Sequence, residues 1–320
     1  MMRYLVALLV LAFFTPAHAE QYPTKPIRLV LGFPPGGSGD FIARNISEDM
    51  YKLLGQQIII DNRPGAGSNI AAEIVARANA DGYTILLGGS FSHAVNPALY
   101  KKVGFDPEKD FAPITKVANF TTIIAVNPKL PVNSLKELIA HAKAEPGKLS
   151  YATPGAGTPS HLAGVMFNVI AGTNIVHVPF KGGAPSLAAT IAGEVPIIIA
   201  TPPVGLPMIR AGRLRALSLT TAKNSPIIPG IPGAVEAGLA GFDIGGWWGL
   251  WAPARTPGPA VKKLFDTSVA VLRMPHIKER LAREGLEVET SASPQEFAAF
   301  VRKEIPFWAK VVKESGATAD

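Results

Sequence analysis

The stretch Phe33-Pro34-Pro35-Gly36-Gly37-Ser38-Gly39-Asp40 decides how the rest of the chain is read. Before it lies an apolar run, Ile27 to Gly32, which predicts a buried strand. After it, Phe41 to Leu54 places Phe41, Ile42, Ile46, Met50, Leu53 and Leu54 on or near one helical face. The glycine-rich turn therefore joins a strand to a helix N-terminus. There the first backbone N–H groups have no partner inside the helix, and the helix dipole favours an anion. Glycine lets a ligand come close to the backbone. A plain βα turn with Asp40 as its N-cap fits this stretch equally well. A second stretch shifts the balance. Tyr151-Ala152-Thr153-Pro154-Gly155-Ala156-Gly157-Thr158-Pro159-Ser160-His161 repeats the design in the second half of the chain. Two such loops face to face form a clamp.

Working outward, strands alternate with helices. Gln57 to Asp61 is β-like, Asn62 to Asn69 is a turn, and Ile70 to Ala78 is helical. Tyr83 to Leu87 reads as another buried strand, running into a third small, polar loop, Gly88-Gly89-Ser90-Phe91-Ser92-His93. This alternation predicts a mostly parallel, doubly wound sheet, whose ligands sit beyond the carboxyl ends of its strands. Ile114 to Asn127 is a β-rich run. Ser134, with Glu137 three residues on, opens a helix with a capping box. Strand, glycine loop and helix then recur: Leu149 to Ala152 before the second loop, and Ile175 to Val178 before Pro179-Phe180-Lys181-Gly182-Gly183 and a helix from Leu187. Val195 to Ala200 is a strand ending at Thr201-Pro202-Pro203. Two similar α/β halves are the simplest account. Further on, Arg215 to Thr220 is β-like, and Phe242 to Trp251 is an aromatic β run with Trp247, Trp248 and Trp251; Trp247 and Trp248 read first as core or hinge packing, with one of them a candidate wall of the cleft. Pro259 to Arg273, His276 to Glu284 and Pro294 to Ser315 read as helices, the last capped by Ser293 and kinked at Pro306.

Composition narrows the function. Residues 1–19 read as a secretory leader: Arg3, then apolar Tyr4 to Phe14, then Ala17-His18-Ala19 with cleavage after Ala19. The apolar run is short for a membrane span. The chain has no cysteine, which removes disulfides, thiol nucleophiles and thiolate metal sites. An apolar fraction of 48% is compatible with an exported fold held by its core alone. The net charge of +7 comes from scattered basic residues with no aromatic-interleaved stripe, which speaks against nucleic acid and for the gathering of small anions. No G-x-S-x-G elbow, metal-ligand spacing, P-loop lysine or complete dinucleotide fingerprint is present, so no cofactor and no metal are expected. His93, His161 and His177 lie near hydroxyls, and an exported hydrolase using His93 or His161 is the rival reading; binding ranks above it.

What remains is a set of loops rich in N–H donors, hydroxyls and glycine. The candidate ligand-binding residues are Pro35, Gly36, Gly37, Ser38 and Asp40 in the first loop and Ser90, Ser92 and His93 in the third. The second loop adds Thr153, Gly155, Gly157, Thr158, Ser160 and His161, the fourth adds Lys181 and Gly182, and Thr201 follows the last strand. Uncharged donors of this kind suit a compact carboxylate. Asp40 is open to three readings: a cap, a repulsive charge, or a partner for an ammonium group.

The residues also carry a resemblance. Tyr22-Pro23-x-Lys25-Pro26-Ile27-Arg28, Pro35-Gly36-Gly37-x-x-Asp40, Asp61-Asn62-Arg63-Pro64-Gly65-Ala66-Gly67 and Asp81-Gly82-Tyr83-Thr84 come first. Asp110-Phe111-Ala112-Pro113-Ile114, Thr153-Pro154-Gly155, Val178-Pro179-Phe180-Lys181-Gly182-Gly183 and Trp247-x-Gly249-Leu250-x-Ala252-Pro253 follow in order. This ordered set resembles the tripartite tricarboxylate transporter substrate-binding proteins, the TctC or Bug receptor family, over essentially the whole mature chain. The resemblance implies a two-domain periplasmic-binding-protein fold of the Venus flytrap type, each domain a mostly parallel sheet flanked by helices. It implies residues 20–122 and 246–320 in one domain and 123–245 in the other, with Phe120 to Val126 and Gly246 to Trp251 crossing between them. It further implies a monomer that closes on a small carboxylate, aromatic and amino-substituted acids included, and hands it to membrane transporter subunits or a sensor receptor. The run Pro196 to Pro203 and the loop Ile227 to Gly233 depart from the family pattern, and the first is expected to stiffen a pocket wall.

Overall fold

The computed structural model describes residues 22–319, so the expected leader and its cleavage point lie outside the described residues. The hydrophobic patterning of the first half builds β1 (Ile27–Leu31), α1 (Ser38–Leu54), β2 (Ile58–Asn62), α2 (Asn69–Ala76) and β3 (Thr84–Gly89). A π-helical turn, Phe91–Val95, leads into the short α3 (Asn96–Leu99), and β4 spans Phe111–Thr121. The second half contributes β5 (Ile123–Val126), α4 (Leu135–Ala144), β6 (Ser150–Thr153), α5 (Pro159–Ala171), β7 (Val176–Pro179), α6 (Gly183–Ala192), β8 (Ile197–Ala200), α7 (Pro202–Arg210) and β9 (Arg215–Leu219). The chain ends with β10 (Gly245–Pro253), α8 (Gly258–Leu272), α9 (Pro275–Arg283), β11 (Leu286–Val288) and α10 (Pro294–Ser315).

These strands form two sheets. The first runs β11-β4-β10-β3-β1-β2 and the second β7-β6-β8-β5-β9. Pairing is parallel in the βαβ parts, with Leu29 opposite both Ile60 and Ile85, and Ala152 opposite both Val178 and Ile198. It is antiparallel where the chain passes between sheets: β10 lies between β3 and β4, and β5 between β8 and β9. The sheets are thus mixed, and the reversed strands β5 and β10 adjoin the two crossings. Only Thr122 separates β4 in one sheet from β5 in the other.

Helix signals in the sequence act locally as expected at two N-termini. Ser134 Oγ accepts the Glu137 N–H at 3.2 Å, and Ser293 Oγ accepts the Glu296 N–H at 3.1 Å. Three local expectations are corrected. First, α1 starts one turn earlier than its apolar face suggests, with Gly37 rather than Asp40 as N-cap. Second, Gly88-Gly89 is strand rather than loop, because β10 pairs along it (Trp248 opposite Gly89), and a side chain on Gly89 would run into the Trp247 carbonyl. Third, Pro202 and Pro203, which the sequence places only at the end of a strand, open a helix, α7; proline is tolerated at the first helical positions because the N–H it lacks would be unpaired there anyway.

One apolar cluster runs continuously between the lobes, from Val30, Leu86 and Val95 to Ile124, Leu162 and Phe242, joined by Trp247, Trp308 and Val312. Helix α10 packs on β4 of the first lobe and α5 of the second. It buries Phe297, Val301, Trp308, Val311 and Val312, each worth roughly 1.5–3 kcal/mol on removal from water. Glu304 accepts both indole N–H groups, from Trp247 at 2.7 Å and from Trp308 at 3.0 Å, which fixes α10 to β10.

Candidate functional site

The loops that follow β1, β6, β7 and β8 meet between the sheets, and the end of β4 and the middle of β10 form the floor. Their approach is close. A Cβ on Gly67 would stand 2.9 Å from the Ala156 carbonyl, one on Gly157 2.4 Å from Asn96 Oδ1, and one on Gly182 2.9 Å from the Pro34 ring. Gly157 also has φ +76°, which favours glycine. The lobes are therefore closed on each other. A narrow inner cavity of about 40 Å³ lies between them, and a wider outer opening of about 630 Å³ lies beside it.

The inner cavity has an aromatic wall of Phe33, Phe91, Phe120 and Trp248. Phe91 and Trp248 meet edge-on with ring centroids 4.9 Å apart, and Phe33 meets Phe91 at 5.0 Å. The polar groups come from helix starts. Ser38 is the first residue of α1, and Phe41 is the first residue of that turn to bond back, to the Gly37 carbonyl at 2.9 Å. Ser160 is the second residue of α5, after Thr158 as N-cap and Pro159. Ser38 Oγ, Ser160 Oγ and Trp248 Nε1 are all buried without a hydrogen-bond partner, and all three residues line this cavity. Buried polar atoms are normally paired, so three lone ones around one cavity mark a place for a polar ligand group.

The structure sorts the residues singled out in the sequence. Gly37, Ser38, Thr158, Ser160 and Thr201 line the inner cavity. Gly155, Lys181 and Gly182 line the outer opening instead, and Lys181 is exposed. Pro35 and Gly36 sit exposed at the crest of the first loop. Gly157 serves the lobe contact with Asn96.

The other candidates are turned elsewhere. Asp40 Oδ2 accepts from Gly36 N–H at 3.1 Å and pairs with Arg44 Nε at 2.8 Å. Burial raises the pKa of this carboxyl, but the Arg44 and Gly36 hydrogen bonds outweigh it and hold the group below the usual carboxylate range. Arg44 thus matches its charge at Oδ2, while Oδ1 is buried without a hydrogen-bond partner. Ser90, Ser92 and His93 are fully buried and do not border the cavity, whereas Phe91 among them does. His93 is fully enclosed, stacked on Trp251 at 3.8 Å and joined to Ser92 Oγ at 2.9 Å through Nδ1. Burial pushes its pKa down to about 3. Thr153 binds His177 Nε2 at 2.7 Å, and His177 stacks on His161 at 4.2 Å. Burial lowers His161 to about 4 and, aided by His161, lowers His177 to about 3. These three rings are neutral packing groups at pH 7.

The sequence reading missed Phe33, Pro34, Gly39, Phe91, Phe120, Pro154, Pro159, Gly183 and Val204 as cavity residues, and it assigned Trp248 first to packing. Phe33, Pro34 and Gly39 stand inside the stretch quoted at the outset, so their position was visible and their direction was not. Val204 had no signal, because α7 itself was not foreseen. Among the described residues no cluster of three or more His, Asp or Glu side chains can hold a metal ion, and no helix is long and apolar enough to cross a membrane.

Two α/β lobes, two crossing segments and a donor-lined cavity at the carboxyl ends of the strands define a two-lobed ligand-binding protein. Comparison with known proteins gives the family. Residues 42–317 match the tripartite tricarboxylate transporter family receptor, TctC. BugT of Bordetella pertussis is 34% identical over 303 residues, covering 94% of this chain and 93% of its own. The periplasmic binding protein BugD is 36% identical with a TM-score of 0.88, covering 93% of this chain and 99% of its own. A protein of R. palustris solved with adipate is 36% identical with a TM-score of 0.89, covering 93% and 99%. MatC of Rhodopseudomonas palustris, solved with malate, is 32% identical with a TM-score of 0.86, covering 91% and 100%. The chain belongs to the tripartite tricarboxylate transporter receptor family, whose members are periplasmic binding proteins.

Proposed function

We propose that this protein captures a small carboxylate in the periplasm and presents it to a tripartite tricarboxylate-type membrane transporter. The observation that carries the reading is the trio of unpaired buried donors, Ser38 Oγ, Ser160 Oγ and Trp248 Nε1, around one closed cavity. The first two stand at the starts of α1 and α5, where free N–H groups and the helix dipole add to them. A carboxylate accepts several hydrogen bonds at once, and uncharged donors suffice to hold it. The adipate and malate held by two structural relatives support the ligand class. The lobes divide at Thr122 and near Gly245, which is supported by the change of sheet between β4 and β5 and between β9 and β10. A leader cleaved after Ala19 takes the chain across the inner membrane. Closure follows ligand because the ligand touches both lobes only in the closed form.

The protein acts without turnover. The Ser92–His93 pair is wholly buried, so no substrate reaches it, and no carboxylate hydrogen bond orients the His93 ring. The test is a thermal-shift screen of the refolded mature chain against acids and their amides. A ligand at ~100 times its Kd stabilises by roughly 2.7 kcal/mol, about 2–4 °C in Tm at this size. A shift with an acid and none with its amide is expected. An amide that matches its acid would refute a carboxylate site, and recovery of a chemically altered ligand would refute the non-enzymatic reading.

A further inference from the structure

The two ends of the inner cavity differ in chemistry, and the difference lies in residues 182–204. The second lobe brings three helix starts toward the cleft: α5, α6 and α7. An open helix start offers N–H groups to an anion. At α5 the Ser160 hydroxyl is buried beside the cavity without a partner. In α7 the first two helical residues are Pro202 and Pro203, which have no N–H to give. The N–H groups of Val204 and Gly205 are both taken by the Thr201 carbonyl, each at 3.0 Å. At the start of α6, Val204 packs 2.7 Å from where a Cβ on Gly183 would stand and the Pro34 ring lies against Gly182, while Gly183 itself borders the cavity.

The cavity therefore has one strongly polar end, formed by α1, α5 and the Trp248 indole. The rest includes Phe33, Phe91, Phe120, Gly183 and Val204, with the Thr201 hydroxyl as the one polar side chain from the α7 side. No charged side chain borders it. Lys181 is in the outer opening, and the Pro34 and Pro154 rings, which line both spaces, stand between that opening and the inner cavity. A second carboxylate enclosed here would lose its hydration largely against aromatic and aliphatic carbon, with the Thr201 hydroxyl as the one side-chain donor on that side, which is costly.

Building on the carboxylate reading above, we propose that the cleft selects a short monocarboxylate with an uncharged, apolar remainder and discriminates against dicarboxylates. Pro202, Pro203 and Val204 are the residues that set this specificity. The inference rests on the absence of free donors at the start of α7 and of charged side chains around the cavity. The dicarboxylates seen in relatives are no part of it.

The experiment is titration calorimetry on the refolded mature chain with matched acids. Butanoate, pentanoate and benzoate are compared with succinate, malate and adipate, and butanamide and benzamide serve as neutral probes. The expected result is a monocarboxylate that binds at least tenfold more tightly than every dicarboxylate, with the amides silent. A dicarboxylate that binds as tightly as the best monocarboxylate, or more tightly, overturns this inference and leaves the carboxylate site standing. Silence from every acid overturns the carboxylate site and this inference with it. The double variant Pro202→Ala/Pro203→Ala restores two N–H donors at α7. It should raise dicarboxylate affinity relative to monocarboxylate by about tenfold, the scale of a charge-assisted hydrogen bond. Val204→Ser, which leaves the helix start intact, should move the ratio the same way by a smaller factor. If neither substitution moves the ratio, these residues do not set the specificity.

Discussion

The hydroxyl oxygens of Thr122 and Thr220 stand 2.8 Å apart, one on each segment that passes between the lobes. The Thr220 hydroxyl also accepts the Thr122 N–H at 3.1 Å and contacts the Ile244 carbonyl at 2.7 Å. Both threonines are buried, so a single side chain satisfies the backbone of both crossings. Thr220→Val keeps the volume and removes these bonds. It should cost about 1–3 kcal/mol in urea denaturation, the range for leaving a buried group unpaired. Thr220→Ser, which keeps the hydroxyl, should recover most of that loss. Equal stability for the valine variant would remove Thr220 as the tie between the crossings.

Trp248 is expected to bind ligand through Nε1 as well as to wall the cavity. Trp248→Phe deletes the donor and keeps an aromatic ring on Phe91. Affinity for the best acid should fall about 10–100-fold, as for loss of one hydrogen bond to a charged group. Unfolding stability should hold up far better than affinity. Calorimetric titration beside thermal melting separates the two, and unchanged affinity would remove Trp248 from the site.

Two glycines in the facing loops should behave differently. A Cβ on Gly37 would meet only the Pro34 carbonyl at 3.8 Å, and the φ of −92° accepts any residue. Gly37→Ala should therefore leave the fold within about 1 kcal/mol, the range for a weaker N-cap, while crowding the ligand. Gly157→Ala places its methyl 2.4 Å from Asn96 Oδ1 at φ +76°, so it should act on closure instead. Small-angle scattering with saturating ligand should show the Gly157 variant more extended than wild type and the Gly37 variant compact. Identical profiles for all three proteins would deny Gly157 its part in the lobe contact.

Acid should destabilise the fold through His93. Burial holds its folded pKa at about 3, while the unfolded chain takes up a proton near pH 6.5. Below about pH 6.5 the unfolded state thus binds more protons. Stability falls by about 1.4 kcal/mol per pH unit from this ring, down to its folded pKa. Denaturant midpoints should drop between pH 6.5 and pH 4.5, and His93→Phe, which keeps the stack on Trp251, should flatten that slope. An identical slope in the variant would assign the acid sensitivity to other groups.

Glu304→Leu should release α10. The substitution leaves the indole N–H groups of Trp247 and Trp308 buried without an acceptor, at about 1–3 kcal/mol each. Glu304→Gln retains one acceptor oxygen and should lose less. A urea midpoint unchanged by the leucine variant would show that the two indoles find other partners.

Much of this architecture is legible in the residue order. Alternating apolar runs and glycine turns locate the βαβ units, and the Ser134 and Ser293 caps locate two helix starts, because these signals act within a few residues. What escapes is set by contacts distant in sequence. Gly88-Gly89 reads as a loop until β10 pairs with it. Asp40 reads as a cap, and its turn toward Arg44 depends on where α1 begins. His93 and Phe91 are two residues apart, yet a π-helical turn faces one into the core and the other into the cleft. Prolines at α7 read as a break because composition does not distinguish the first turn of a helix from its interior.

The place of Trp248 gives the molecule its own optical signal. Of its four tryptophans, this is the one that borders the inner cavity; Trp247, Trp251 and Trp308 pack together around α10. A charged group arriving at Nε1 alters the surroundings of one emitter while the other three supply a constant background. The change in intrinsic fluorescence on ligand addition should therefore be partial in amplitude, saturable with the calorimetric Kd, and absent from Trp248→Phe. Capture of ligand can then be timed in the unlabelled protein.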